Sequence, residues 1–157
     1  MLQSAHSLAP EVKTELATML NQVVAETAVT TMLAQNFHWN VRGMAFGPLH
    51  ALFQEIYEDH FEAQDDVAER LRAIGGHVEG RLRVMVENSK VPEQDGHQTD
   101  QEMIRLMSDA QKTIASTIAG TATYAEKNGD VATHDLLVGR QLAHEKFAWL
   151  LDSHFVD

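Results

Sequence analysis

Hydrophobic residues recur at every third or fourth position along four long stretches of the chain, a spacing that predicts four amphipathic α-helices. Prolines and glycines separate the stretches, because both residues interrupt a regular helix. No segment alternates apolar and polar residues over the length of a strand. The fold class is therefore predicted to be all-α, with helices over about 10–40, 48–74, 99–128 and 130–151.

The stretch 77–96, between the second and third predicted helices, mixes Gly, Pro and charged residues with a short apolar patch at 82–86. A connection of this length is too long for a simple turn, so we expect a crossover that carries a short helix. Two helical hairpins joined by such a crossover form a ferritin-like four-helix bundle. Residues 1–157 are expected to form one domain of that kind, since this length buries a single core.

The charge and composition of the chain narrow its function. With 23 acidic and 12 basic residues, the net charge of -11 argues against a protein that mainly grips phosphate backbones, and favours cations as partners. The chain has no cysteine, which excludes cysteine catalysis and thiolate metal sites.

No apolar run approaches the roughly 20 residues that span a bilayer. The N-terminal residues lack a secretion signal pattern, so a soluble, cytoplasmic protein without a membrane partner is expected.

Candidate metal ligands lie on the first two predicted helices, at His38, His50, Asp65 and Glu69. Imidazole and carboxylate together suit iron or zinc. His50 precedes Asp65 by fifteen residues, which places the two side chains ~22 Å apart along one helix axis. A second copy of this helix, antiparallel about a two-fold axis, would bring His50 of one subunit beside Asp65 and Glu69 of the other. The predicted site is therefore shared between two subunits.

Spacing alone leaves a plain structural alternative open. Asp65 and Glu69 would then belong to a solvated helix face, and His38 and His50 would be ordinary histidines with local hydrogen-bond partners. None of the nine histidines has a glutamate three residues before it, which argues against the di-iron centre that true ferritins build inside one bundle. The other seven histidines show no cluster in the sequence, and most are expected to be exposed.

Three segments resemble one known family. NFHWNVRG at 36–43, FGPLHALFQEIYEDHFEAQDDVAERLRAIGG at 46–76 and GDVATHDLLVGRQLAHEKFAWLL at 129–151 are similar to the Dps miniferritins, the DNA-binding proteins from starved cells within the ferritin-like superfamily. The likeness extends from about residue 10 to 155.

The resemblance implies a hollow homo-oligomer of about twelve subunits, with ferroxidase centres at its two-fold interfaces. Such a shell oxidises Fe(II), preferably with hydrogen peroxide rather than oxygen, stores the ferric mineral and limits oxidative damage. By position, His38 and His50 match ligands from one subunit, and Asp65 and Glu69 match ligands from its partner. Trp39 matches an aromatic residue beside the centre. The resemblance implies a site for one or two iron ions, in which zinc can take the place of iron.

One ligand position departs from the family pattern. Gln54 stands where the family usually has an aspartate, four residues after the second histidine. A glutamine binds a hard cation through its carbonyl oxygen but brings no negative charge. Glu58 and Glu62 follow at one and two turns along the same helix face, and either is a candidate to replace part of the missing charge.

Two acidic residues near the start of the last predicted helix are candidates for the acidic pores that family members carry at three-fold axes. These residues are Asp130 and Asp135. A structural alternative applies to both, because carboxylates are also favoured at a helix N-terminus. For Asp130, the cap is the preferred interpretation.

The sequence is also compatible with two other functions. Some Dps proteins coat DNA through a lysine-rich tail, but the first fifteen residues here contain one lysine, Lys13, and the C-terminus is acidic. DNA binding is therefore expected to be weak or absent. The second alternative is a metal cage with an impaired ferroxidase site, for which Gln54 is the only sign.

Overall fold

The computed structural model describes residues 7–156, and every regular element within that range is an α-helix. The helices are α1 (Pro10–Asn40), α2 (Phe46–Ala73), α3 (Leu82–Asn88), α4 (Asp100–Lys127) and α5 (Val131–Asp152). The predictions of an all-α fold and of a short helix in the middle crossover are confirmed. No helix in the described range is both long and apolar enough to cross a membrane.

Two antiparallel hairpins, α1 with α2 and α4 with α5, form the bundle, and α3 packs against the outside of α1. The core lies between the four long helices. Phe37 of α1 meets Phe53 of α2 edge to face, with ring centroids 5.6 Å apart. Large, fully buried side chains line the core along its length, including Leu16, Leu20, Leu49, Ile56, Met103, Ile114 and Ile118.

Local sequence signals set the starts of α4 and α5. Thr99 and Glu102 form a reciprocal capping box at the start of α4, as predicted. Asp130 is the N-cap of α5 and accepts a hydrogen bond from the Thr133 amide, which confirms the cap interpretation of this residue.

Helix α2 begins at Phe46, two residues before the predicted start at Pro48. That boundary was wrong because proline need not be the first residue of a helix. The amides of the first turn have no partner within the helix, so Pro48 is tolerated at the third position. Gly43, with a φ of 124°, makes the turn between α1 and α2 in a conformation that other residues rarely adopt.

Candidate metal centre

The turn between α1 and α2 brings His38 and His50 into face-to-face contact. Their rings are stacked, with centroids 3.7 Å apart and planes inclined by 16°. The Nδ1 atom of His38 lies 2.7 Å from the main-chain oxygen of His50. The Nδ1 atom of His50 lies 2.7 Å from the main-chain oxygen of His38. Each ring is thus fixed by the backbone of the other residue.

These two contacts determine where the ring protons sit. A carbonyl oxygen can only accept, so Nδ1 of His38 and Nδ1 of His50 must each carry a hydrogen and donate it. A neutral imidazole has one ring hydrogen, which leaves the lone pair of each Nε2 atom available. A hydrogen bond from one ring nitrogen to a carbonyl, with the other nitrogen free, is how histidine is usually prepared to bind a metal.

Aromatic neighbours restrain the histidine pair further. Phe46 stacks against the ring of His50 at 5.1 Å, and Tyr57 meets the ring of His38 edge-on at 5.3 Å. His38 is buried and His50 is half-buried. Trp39, next in sequence, is 63% exposed and lines an apolar surface groove. The pair is therefore a rigid feature at the edge of the bundle, next to exposed apolar surface.

Gln54 lies one turn after His50 and is held by Glu58. Its amide nitrogen donates to a carboxylate oxygen of Glu58 at 2.8 Å. Because the carboxylate accepts, the amide group of Gln54 faces Glu58 and its carbonyl oxygen is the end left for another partner. Position 54 thus offers a neutral oxygen, with the carboxylate of Glu58 directly beside it. Glu62, a turn further, is exposed.

Asp65 and Glu69 lie one turn apart near the other end of α2, and both are exposed. Since α2 is continuous, the helical rise separates Asp65 from His50 by ~22 Å. Within a single chain, residues 7–156 contain no group of three or more His, Asp or Glu side chains that could hold a metal ion. The four predicted ligands thus form two groups on one chain, a histidine pair and an acid pair.

The surface beside Asp65 is partly apolar. Asp65 lines a groove together with Phe61 and Met85, and Phe61 is 73% exposed. An adjoining groove of about 680 Å³ shares Met85 and is lined by Trp39 and Leu82. Large exposed apolar side chains of this kind, when contiguous, mark surfaces that another molecule covers.

The two predicted pore residues differ in their surroundings. The carboxylate of Asp130 is almost completely buried, pairs with the Arg70 guanidinium at 2.8 Å and accepts hydrogen bonds from Thr133. Asp135, on the next turn of α5, is exposed. In the chain itself, Asp130 therefore joins α2 to α5, and Asp135 is the more accessible carboxylate.

Two of the remaining histidines are buried and lie together, a pair that was not predicted, whereas three of the other four described ones are exposed, as expected for most of them. His60 of α2 and His144 of α5 are fully buried, with ring centroids 4.7 Å apart. A signal for His60 was present, because it falls on the same helix face as the buried Ile56, Ala63 and Val67. Its contact with a residue on α5 could not be read from sequence. His6 lies outside the described residues.

Burial dominates the electrostatics of this histidine pair. It lowers the pKa of His144 from 6.5 to about 2, and it also lowers the pKa of His60. For the neighbouring Asp59, burial alone would raise the pKa, but hydrogen bonds from His60 and Arg140 outweigh it and hold the pKa below its usual value. Both imidazoles are therefore neutral near pH 7, beside an ionised carboxylate paired with arginine.

Comparisons with known proteins agree with this architecture. The profile of the ferritin-like domain matches residues 17–157. The chain is 34% identical to DNA protection during starvation protein 2 of Bacillus anthracis, covering 85% of this chain and 91% of that relative. It is similar to the solved structure of Dps from Staphylococcus aureus, with a TM-score of 0.88, 30% identity and coverage of 92% and 97% of the two chains. Dps from Listeria innocua soaked with zinc gives a TM-score of 0.85 and 28% identity, over 88% and 94% of the two chains.

Proposed function

Because the chain belongs to the Dps family of ferritin-like proteins, we propose that it oxidises Fe(II) at a site shared by two subunits and stores the ferric product. Iron storage and protection are the general roles of this family. The finer proposal is a closed homo-oligomer of about twelve chains that uses hydrogen peroxide in preference to oxygen. Peroxide accepts two electrons and so oxidises two Fe(II) ions, which removes both reactants of hydroxyl-radical chemistry together.

The observation that carries the proposal is the reciprocal clamp between His38 and His50. It leaves two neutral imidazole nitrogens available on adjacent, rigidly held rings, which is a donor set suited to Fe(II) or Zn(II). A pair of ordinary surface histidines would not need matched backbone acceptors and stacked rings. Because imidazole and carboxylate also suit Zn(II), zinc is a candidate substitute for iron in binding experiments.

The carboxylates of the proposed site come from a second subunit. Asp65 and Glu69 are too far from His50 to share an ion with it on one helix, whereas an antiparallel second α2 would bring them together. The exposed Phe61 and Trp39 support a partner on this face, because Phe61 lines the groove that contains Asp65 and Trp39 lines the adjoining groove. Each pair of subunits would then hold two equivalent sites.

Gln54 sets the expected strength of the site. Its carbonyl oxygen is a ligand without charge, and the neighbouring Glu58 supplies a negative charge one turn away. A site of this composition should bind Fe(II) more weakly than one with an aspartate at position 54, and should hold ferric iron less firmly, which favours its transfer to the mineral.

The name of the Bacillus anthracis relative refers to DNA protection. For this chain, we propose protection through removal of iron and peroxide rather than through coating of DNA. The net charge of -11 disfavours contact with phosphates at physiological salt.

Stopped-flow measurement of Fe(II) oxidation tests the proposal. Anaerobically loaded protein should oxidise Fe(II) rapidly on mixing with hydrogen peroxide and more slowly with oxygen. His38→Ala and Glu69→Ala should each slow oxidation by at least about tenfold. The matched controls His97→Ala and Glu126→Ala replace exposed residues outside the site and should leave the rate unchanged. Equal rates in all four variants would refute the assignment.

A further inference from the structure

The buried histidines belong to a closed ring of five side chains, in which His60, Gln111 and His144 are buried and Asp59 and Arg140 are half-buried. The Asp59 carboxylate contacts Nδ1 of His60 at 2.9 Å and the guanidinium of Arg140 at 2.7 Å. The Gln111 amide bridges the imidazoles, with its oxygen 2.7 Å from Nδ1 of His144 and its nitrogen 3.0 Å from Nε2 of His60. Nε2 of His144 lies 3.4 Å from the guanidinium of Arg140, which closes the ring.

Donors and acceptors match at every link of this ring. The Arg140 guanidinium only donates, so Nε2 of His144 accepts and Nδ1 of His144 carries the hydrogen that it gives to the Gln111 oxygen. The amide nitrogen of Gln111 then donates to Nε2 of His60. The hydrogen on Nδ1 of His60 goes to Asp59, which also accepts from Arg140. With both imidazoles neutral, one assignment of tautomers satisfies all five groups, and fully satisfied buried networks of this kind rigidify a core.

The ring connects α2 to both helices of the second hairpin. Gln111 is on α4, Arg140 and His144 are on α5, and Asp59 and His60 are at the middle of α2. The other buried residues of α2 in the described chain are apolar: Leu49, Phe53, Ile56, Ala63, Val67 and Leu71. Apolar contacts have little directional preference, so they resist separation of helices better than rotation of one helix about its axis. Hydrogen bonds are directional and resist that rotation.

Small rotations of α2 matter because it carries most of the proposed metal ligands. A ligand oxygen ~6 Å from the helix axis moves by ~2 Å when the helix turns by ~20°. Metal–ligand distances tolerate errors of only about 0.2 Å. The orientation of Asp65 and Glu69 therefore requires directional contacts in addition to apolar packing. Arg70 supplies such contacts near the C-terminal end of α2, through Asp130 and Thr133, and the ring supplies them at the middle of the helix.

We propose that the ring of Asp59, His60, Gln111, His144 and Arg140 is a positioning device that fixes the rotation of α2 and so directs its metal ligands. The role rests on the proposed function, because it presupposes that α2 carries the ligands. Arg140 is the central positioning residue, since it contacts both Asp59 of α2 and His144 of its own helix. It does not touch the metal.

Co(II) binding to the assembled protein tests the role, because the visible absorption bands of Co(II) report ligand geometry as well as affinity. Arg140→Met and Gln111→Leu should weaken Co(II) binding by at least about tenfold and change the band shape. Arg140→Lys keeps the charge beside Asp59 but cannot make the same pair of contacts, so its effect should be intermediate.

Two controls separate positioning from loss of stability. Asp152 of α5 accepts a hydrogen bond from Ser108 and pairs with Lys112, both of which lie on α4. Asp152→Asn therefore weakens a contact between α4 and α5 that does not involve α2. Ile118→Val removes a methylene group from the fully buried core of α4. Both should lower the melting temperature while leaving Co(II) affinity and band shape unchanged. If Arg140→Met fails to fold, Arg140→Lys and Gln111→Leu give the same comparison.

The outcomes distinguish this proposal from the proposed function. One outcome is that the wild-type protein binds Co(II), and that the ring variants melt at a lower temperature but keep the wild-type Co(II) affinity and band shape, as the controls should. The ring is then only structural, and the positioning role is overturned. If the wild-type protein binds no Co(II), the metal site itself is refuted and the ring has nothing to position. Weaker binding and altered bands confined to the ring variants would establish the role.

Discussion

His38 and His50 each donate a ring hydrogen to the other residue's main-chain oxygen, over 2.7 Å in both directions. This exchange fixes both imidazoles in the Nδ1–H tautomer, whereas a free neutral histidine in water favours Nε2–H. Nitrogen NMR of ring-labelled, metal-free protein above pH 7 should therefore show a protonated Nδ1 and an unprotonated Nε2 at both residues. Because the acceptors are backbone atoms, His38 should keep this tautomer in the His50→Ala protein. Nε2–H signals from either residue would contradict the geometry.

Replacing Gln54 by aspartate should tighten iron binding and speed oxidation, since it adds a charged oxygen one turn from His50. In the metal-free protein, the same change removes the hydrogen bond to Glu58 and places two carboxylates one turn apart. That arrangement should destabilise the helix by about 0.2 to 0.5 kcal/mol. Titration calorimetry and thermal melting measure the two effects.

Gln54→Met is the matched control for that substitution. It keeps the length of the side chain but removes the oxygen, so it should bind iron more weakly than the wild-type protein. If Gln54→Asp binds no better than wild type, Glu58 or Glu62 already supplies the charge at this position.

The free energy of unfolding should fall as the pH drops below 6.5. Burial lowers the pKa of His144 to about 2 in the folded chain, whereas the unfolded chain takes up a proton near 6.5. The unfolded state thus binds more protons at acidic pH, so this contribution is complete above pH 6.5 and is lost progressively below it. At pH 5 the loss from His144 alone should be about 2 kcal/mol per chain.

Denaturant unfolding at pH 7.5 and pH 5 checks this prediction. His144→Gln keeps hydrogen-bonding capacity without a titrating ring, so its stability should depend less on pH. His97→Ala removes an exposed histidine and should retain the wild-type dependence. An unchanged pH dependence in His144→Gln would mean that other groups control the acid sensitivity.

Asp130 and Asp135 should behave differently although both are acidic residues at the start of α5. Asp130→Ala removes the helix cap and the carboxylate that pairs with Arg70, which should destabilise the chain by about 3 kcal/mol. Asp135→Ala replaces an exposed side chain and should change stability by less than about 0.5 kcal/mol. If Asp135 lines an entry pore, its variant should instead slow iron uptake, measured as mineral formed after Fe(II) addition. Equal loss of stability in the two variants would contradict this division of roles.

The fold was predictable from sequence because its signals are local. The capping residues Thr99 and Asp130 each act on the amide three residues further along the chain, and the helical periodicity of α1 and α2 is complete within each helix. The start of α2 was misplaced because Pro48 is compatible with several positions in a first turn. Local patterns thus determine which helices form more reliably than where each begins.

The candidate site was only partly predictable. The residue types and spacing of His38 and His50 identified a candidate pair, but their reciprocal contact depends on the turn geometry around Gly43. The partnership of His60 with His144 was missed because the two residues are far apart in sequence and meet through Gln111 on a third helix. Such contacts follow from tertiary packing, which helical periodicity does not specify.

Mixed assembly of two inactive variants tests the shared metal site most directly. His50→Ala and Asp65→Ala should each abolish Fe(II) oxidation. When the two proteins are unfolded together and reassembled, each mixed pair of subunits contains one site with both substitutions and one with neither. Random pairing should restore activity at roughly a quarter of the sites. Mixed assemblies that form intact shells but remain inactive would contradict a site built from His50 of one subunit and Asp65 of another.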